Sequence, residues 1–330
     1  MVTIKEVAKE SGVSVSTASI VLRGEAKIRK VSPITEDAVI ETARKLGYKV
    51  NVSARKLRGS NESIPVIGVM WSSDLKSAMT LFLEGIDREI RQKKINVEVI
   101  IRQYEPNKID EALKFTQNCN AVIVCNLKPR DIEILQNYKS SVPIIIYERL
   151  VEGFTCVYHD SEKMGEIVAS EFLKQKRRKA VIICQTQSKS YYSIDKCIEA
   201  FSKNALKGGM EVSLMQIEMS MANGYSSMKT LLESENRPDC VYSLTSIYAF
   251  GASRAILESG ISVPDDFGYI SNSGHNYELE ENAAIPFSVV TADIENIAAE
   301  CLNQALLATK SPFNSPKMIE MPIRYIKRKT

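Results

Sequence analysis

The sequence predicts a small α-helical head followed by an α/β body of two doubly wound, parallel-sheet halves. Three observations predict it. The first fifty residues carry three helix signals separated by turn residues. From Ile64 onward, short apolar runs alternate with amphipathic segments, the pattern of βαβ units around a parallel sheet. That alternation then repeats over a similar length. A chain of 330 residues accommodates two or three such domains.

Composition bounds the class. Hydrophobic residues make up 44% and charged residues 25%, as in an ordinary globular protein. No apolar run reaches the ~18 residues of a membrane span, and Met1 to Glu10 already reads as a helix start, not a signal peptide. No membrane association is expected, and a cytoplasmic location is. Seven cysteines (Cys119, Cys125, Cys156, Cys184, Cys197, Cys240, Cys301) are scattered without a C-x-x-C pair. They read as buried thiols in a reducing compartment, not zinc ligands or a disulfide framework. His159 and His275 are too isolated for a metal site, and no cofactor is expected. The net charge of +3 is uneven: residues 1–60 hold 12 Lys and Arg against 6 Asp and Glu, and the remainder holds 31 against 34. A basic head suits a polyanionic partner; a solvated basic face is the plainer reading.

The head starts at Thr3. Thr3-Ile4-Lys5-Glu6 spells a capping box, in which the Thr hydroxyl takes the amide of Glu6 and the Glu carboxylate reaches back. Val7 and Ala8 give this first helix an apolar side, and Gly12 supplies the positive φ of a sharp turn. Ser14 caps the next helix, Val15 to Leu22. Its Ala18, Val21 and Leu22 recur at i, i+3, i+4 and face inward. Val15, Ser16 and Ser19 face outward near the N-terminus. A third helix starts at Ser32-Pro33, with proline at the first position and Glu36-Asp37 in the first turn. Val39, Ile40, Ala43 and Leu46 form its apolar stripe, and Gly47 ends it.

Two helices joined by a short glycine-containing turn form a helix-turn-helix. Spacing alone also fits helical hairpins that meet no DNA. The residues say more. TIKEVAKESGVSVSTASIVLRG, followed by Val31-Ser32 with Thr35, ARKLGYKVN and SARKLRG, resembles in order and position the start of the LacI (lactose/galactose repressor) family of transcription regulators. The resemblance implies sequence-specific DNA binding, with the second helix entering the major groove by its N-terminal end. Ile4, Val15, Ser16, Ser19 and Ile20 match family positions that face base edges. There Val15 or Ile20 meets a thymine methyl and Ser16 bonds several bases. Lys5, Thr17, Arg23, Ser32 and Thr35 are placed for phosphates, which set register and not sequence. Ile20 replaces the arginine of the lactose-repressor branch, so that branch's operator does not carry over. The segment Glu25 to Lys30 is longer than the common family loop; its Lys27, Arg29 and Lys30 either add phosphate contacts or are solvated.

The resemblance also identifies Asn51 to Arg58 as a hinge helix; read from composition alone, the segment is a linker. Eight residues fall short of the ~12–15 that an isolated helix needs in water. The implied mechanism is folding when two copies pack in the minor groove. Leu57 acts as the wedge between base pairs, Ala54 permits close approach, Arg58 reaches the groove, and Asn51 opens the segment. Residues 60–63 tether the body. The expected organisation is a helix-turn-helix domain over 1–50, a hinge over 51–63, one regulatory subdomain over 64–157 with 288–314, and another over 158–287 with 315–330.

In the body, strands are predicted at 66–71, 97–102, 121–125, 143–147, 180–184, 210–217, 240–244, 268–271 and 318–326. Helices are predicted at 78–93, 108–118, 130–139, 162–175, 191–207, 223–234, 247–258 and 293–309. Two doubly wound halves with a cleft between them form a solute-binding architecture of periplasmic-binding-protein type, with ligands at the carboxyl ends of the strands. VPIIIYER, HDSEKMG, AFGASRAILESGISVPDD, PDDFGYI and the closing RYIKRKT resemble the same family more loosely.

Against that family's sugar-binding pattern, the ligand arginine falls at Ser193, the Asn-Asp pair at Thr245-Ser246, and the aspartate at Ser273. Asp160 remains at the cleft edge. The candidate effector residues are therefore Ser73, Asp160, Tyr191, Ser193, Thr245, Ser246 and Ser273, a set of small polar groups poorly matched to a free sugar. Three readings stay open: another small molecule binds, a partner protein regulates from outside, or the loops align several residues away. The tract Lys174 to Lys179 reads as an anion site or, more simply, as cations at a helix end.

No G-x-S-x-G, P-loop, H-E-x-x-H or G-x-G-x-x-G occurs. Cys156 beside His159-Asp160 reads as structural rather than as a thiol site, so an enzyme is not expected. A solute-binding or sensor module regulated through a partner is the rival class, and the basic head argues against it. No leucine heptad follows the body. The expectation is a homodimer on a pseudo-palindromic operator, repressing transcription under control of an unknown effector or partner protein.

Overall fold

The computed structural model describes residues 2–22, 26, 29–46, 48, 64–74, 76–185, 192–273, 277–310 and 315–330. The head comprises α1 (Ile4–Glu10), α2 (Val15–Leu22) and α3 (Pro33–Leu46). Their inward faces share one core, with Val7, Ala8, Ala18, Val21, Leu22, Val39 and Ala43 buried and Ile40, Leu46 and Tyr48 packed against them. This is the side the apolar periodicity selects.

The body begins with β1 (Val66–Ser72), α4 (Lys76–Lys93), β2 (Glu98–Tyr104), α5 (Ile109–Ala112), β3 (Ala121–Cys125), α6 (Pro129–Gln136), β4 (Ile144–Tyr147) and β5 (Thr155–Tyr158). It continues with α7 (Ser161–Lys174), β6 (Lys179–Gln185), α8 (Tyr192–Lys207), β7 (Glu211–Ile217), α9 (Met221–Glu233), β8 (Cys240–Ser243), α10 (Ser246–Ser259), β9 (Gly268–Ser273) and α11 (Tyr277–Glu281). β10 (Ser288–Ala292), α12 (Ile294–Lys310), β11 (Met318–Glu320) and β12 (Ile323–Ile326) follow.

Two six-stranded sheets result, in the orders β11-β5-β4-β3-β1-β2 and β12-β10-β9-β8-β6-β7. Neighbours β2-β1-β3-β4-β5 are parallel, as are β7-β6-β8-β9-β10. The same winding therefore occurs twice. β12 closes the second sheet antiparallel to β10. Central strands β1, β3, β4, β8 and β10 are buried throughout, whereas the edge strands β2 and β7 are largely exposed. Helices on both faces of a parallel sheet account for that contrast.

Aromatic side chains fill the helix–sheet layers. Trp71 and Phe82 lie 5.2 Å apart and Phe82 and Tyr147 5.3 Å in the first sheet's layer. Phe201 and Tyr242 lie 5.2 Å apart in the second sheet's layer. Helices α9 and α10 cross at glycines: a Cβ on Gly251 would sit 1.9 Å from the Met221 carbonyl oxygen, and one on Gly224 2.3 Å from that of Tyr248.

Several boundaries differ from expectation. The predicted helix 108–118 is four α-helical residues followed by a 3-10 segment, Leu113–Asn118. The run 318–326 is two strands and not one: β11 joins the first sheet and β12 the second. The break falls at Met321-Pro322, where proline has no N–H to offer a ladder. Strands β5 and β10 and the short helix α11 carried no sequence signal strong enough to predict. β10 moves a boundary as well. It pairs in the second sheet, so the return to the first unit occurs between Ile294 and Glu295 and not at 288; the last crossing lies between Ile319 and Glu320 and not at 315. The units are Met1–Tyr158 with Glu295–Ile319, and His159–Ile294 with Glu320–Thr330.

All seven cysteines are buried. Burial raises the Cys119 thiol to about 12 and that of Cys184 to about 11, so neither is a nucleophile at neutral pH. Among the described residues no cluster of His, Cys, Asp and Glu could hold a metal, and no helix is long and apolar enough to cross a membrane.

Candidate nucleic-acid interface and effector edge

The head is built from three capped helices. Thr3 accepts from the Glu6 amide at 3.4 Å, and Glu6 accepts from the Thr3 amide at 2.6 Å, closing the capping box. The backbone bond from Thr3, and then its hydroxyl, hold the Glu6 carboxyl below its usual value. Gly12 turns the chain at φ +67°, with open space where a Cβ would be. Ser14 Oγ accepts from the Thr17 amide at 3.0 Å and starts α2. Ser32 Oγ does the same for Thr35 at 3.1 Å and starts α3.

This geometry leaves the N-terminal end of α2 in solvent. Val15 is 44% exposed, and Ser16 and Lys5 are exposed beside it. Thr17, Ser19 and Ile20 are half-buried along the same helix. Ile4 is divided between roles: it packs on the head core and is only partly accessible. Ser32 is exposed and Thr35 half-buried, with their hydroxyls 2.8 Å apart. On α3, Asp37 pairs with Lys139 at 2.8 Å, a largely exposed contact of small energetic weight. Arg23 and the hinge residues Asn51, Ala54, Leu57 and Arg58 lie outside the described residues.

Parallel strands deliver their following loops to one edge of a sheet. At the carboxyl edge of the second sheet, Asp160 caps α7 by accepting from the Lys163 amide at 3.1 Å. Thr245 caps α10 by accepting from the Ile247 amide at 3.4 Å, and Ser193 lies half-buried in the first turn of α8. Ser246 and Ser273 are buried and meet at a third residue. Ser246 Oγ donates to Glu280 Oε1 at 2.6 Å, and Ser273 Oγ donates to the same oxygen. Arg328 Nη1 stands 3.7 Å from Glu280 Oε2 and donates to the Phe287 carbonyl at 2.9 Å. Glu280 is fully buried. Burial raises its carboxyl above the ordinary value, against the lowering effect of both serines and Arg328. At the carboxyl edge of the first sheet, Ser73 is half-buried and donates its amide to Tyr104 O at 2.8 Å. Lys128 pairs with Asp74 at 3.3 Å, and the Ser72 hydroxyl donates to Asp74 at 2.6 Å.

Residues 3–51 match the model of bacterial regulatory proteins of the lacI family, and residues 169–330 match that of a periplasmic binding protein-like domain. The chain belongs to the lacI family of bacterial regulatory proteins. As a lacI-family protein it is a DNA-binding transcription regulator. It is 24% identical over 282 residues to the HTH-type transcriptional repressor PurR of Haemophilus influenzae, covering 82% of this chain and 80% of the relative. A LacI family transcription regulator from Clostridium acetobutylicum superposes with a TM-score of 0.73 at 24% identity, over 80% of this chain and 99% of that one. A lac repressor dimer bound to operator and the anti-inducer ONPF superposes with a TM-score of 0.69 at 19% identity, over 100% of this chain and 98% of that one.

Within this lacI-family chain, the predicted effector residues fall in separate local settings. Ser246 and Ser273 meet; Asp160 and Thr245 give their side chains to helix ends; Ser73 belongs to the other α/β unit; Tyr191 lies outside the described residues. Sequence reading missed three residues: Glu280 and Asn126 at these edges, and Arg328, which stands beside Phe287 and Ser288 at the start of β10. Glu280 sits in ELEEN, which reads as a solvated acidic turn, and Arg328 in a basic tail that reads as surface. Asn126 follows β3 at φ +61° and is 4% exposed, with no hydrogen-bond partner for either amide atom. Its signal was available: it comes directly after the strand AVIVC, at the carboxyl edge of the first sheet.

Proposed function

We propose that this protein is a cytoplasmic homodimeric repressor. Each head reads half of a pseudo-palindromic operator, and an effector bound at the carboxyl edges of the α/β sheets sets its affinity for DNA. The observation that carries the DNA reading is the solvent-facing N-terminal end of α2, where Val15 and Ser16 stand exposed beside Lys5 on a rigid, capped helix pair. A helix presented in this way enters a major groove by its end. The proposed base-edge readers are Ile4, Val15, Ser16, Ser19 and Ile20. Lys5, Thr17, Arg23, Ser32 and Thr35 hold phosphates, and Asn51, Ala54, Leu57 and Arg58 serve the minor groove through the hinge. Two-fold symmetry doubles a half-site that one head is too small to specify. A dimer on operator with a small molecule bound is also what the lac repressor neighbour displays.

For the effector, the buried Asn126 amide supports the reading most directly. A buried donor and acceptor left unsatisfied cost roughly 1–3 kcal/mol, and a ligand that meets both recovers that cost. Selecting DNA from a random pool with the full chain tests the repressor reading. A pseudo-palindrome is expected, bound with a steep inverse dependence on salt; retention of the pool without sequence preference would overturn it.

A further inference from the structure

Glu280 occupies a place that chemistry would otherwise give to a bound anion. Its fully buried carboxylate takes two serine hydroxyls on one oxygen, from Ser246 at the start of α10 and Ser273 at the end of β9. Its other oxygen has no hydrogen-bond partner and faces the Arg328 guanidinium at 3.7 Å. Arg328 is itself nearly buried, with an 8% exposed side chain. Two hydroxyl donors and a guanidinium around one small volume form a carboxylate-binding set. The occupant arrives on α11, a five-residue helix, and the α10 and β9 groups belong to the carboxyl edge of the second sheet.

We propose that Ser246, Ser273 and Arg328 form an anion site in which Glu280 is the built-in occupant, and that a ligand engaging this edge does so with a carboxylate that replaces Glu280. The inference names the chemical class of the effector and so rests on the effector reading above. Displacement releases α11 from β9 and α10, because Glu280 is the side chain through which α11 holds both serines. Loss of the internal carboxylate is balanced by gain of the incoming one, so the buried Arg328 keeps a counter-ion throughout.

Glu280→Ala removes the equivalent of one acetate from the site and leaves its donors in place. In the full chain, sodium acetate is expected to raise the melting temperature of Glu280→Ala saturably, by about 3 °C or more. Sodium chloride at equal ionic strength should not do so. Glu280→Gln, which fills the site, should stay flat, as should the natural chain at the same low acetate concentration. Adding Ser246→Ala and Ser273→Ala to Glu280→Ala should abolish the rise. If Glu280→Ala folds poorly, its refolding yield in acetate against chloride gives the same reading. A response no larger than that to chloride, or one that survives loss of both serines, overturns the anion site. A wild-type chain stabilised by neutral polyols and by no short carboxylate would overturn the ligand class while leaving effector control itself standing. DNA binding plays no part in these measurements, so a failed operator selection is separately visible.

Discussion

Lys5 stands exposed in the first turn of α1, beside the capping box and away from the head core. A cation so placed acts on phosphate and not on bases, so Lys5→Ala is expected to weaken specific and non-specific DNA alike. It should lower the slope of log K against log salt by about one; a loss confined to the operator would make Lys5 a base reader. Glu280 answers to pH. Its folded carboxyl titrates above the ordinary 4.5, chiefly through burial, and the facing charge is Arg328. The folded state therefore holds its proton more tightly than the unfolded chain does. The associated stability is complete below 4.5 and is lost as pH rises through the raised value. Denaturant titrations of the natural chain and Glu280→Gln should diverge over that window, with the natural chain losing ground as pH increases; parallel curves would contradict the burial effect. Such residues were hard to read from sequence. Ser246 and Ser273 were visible as strand-end polar groups, but their partner Glu280 comes from an acidic helix whose burial depends wholly on tertiary packing.

Capping and close approach decide the elements. At Gly251 a Cβ would meet the Met221 carbonyl at 1.9 Å, and both belong to helix backbones that cannot give way cheaply. Gly251→Ala is expected to cost about 1–3 kcal/mol in chemical denaturation. Gly12→Ala meets open space and is opposed by its φ of +67° alone, at about 1 kcal/mol. The order of these two losses is the check. The hinge is an element only by resemblance, and Leu57→Ala tests it. As a wedge, Leu57 should contribute to the operator complex far more than to non-specific DNA, and equal losses in a gel-shift titration would remove that role. Most helices and central strands were legible to within two or three residues, because apolar periodicity and capping residues are local. β5 and β10 were not: TCVY and SVVTA lack the unbroken aliphatic run that marks AVIVC and IIIY. The 318–326 run failed for another reason: one apolar stretch served two sheets, and only Pro322 marked the change.

At the scale of the whole molecule, effector control predicts mass-action stabilisation. A sugar, nucleoside, amino acid or carboxylate that binds the full chain at ~100 times its dissociation constant should add ~2.7 kcal/mol. A thermal-shift panel reads this directly, and silence across it would move regulation to a partner protein. The architecture was legible because the winding occurs twice in one chain, and the second occurrence confirms the first. The domain limits were less so, because the chain passes between units three times, after Tyr158, Ile294 and Ile319. Those passages bear on biosynthesis. The first α/β unit lacks α12 and β11 until His159–Ile294 has been made, and α12 is what packs on Gly85 and pairs with Arg88 of α4 at 2.5 Å. At ribosomal speeds of about 5–20 residues per second, that face of α4 waits on the order of ten seconds for its cover. The nascent chain must therefore be guarded longest at its oldest unit, and premature termination anywhere before Lys310 leaves that unit open.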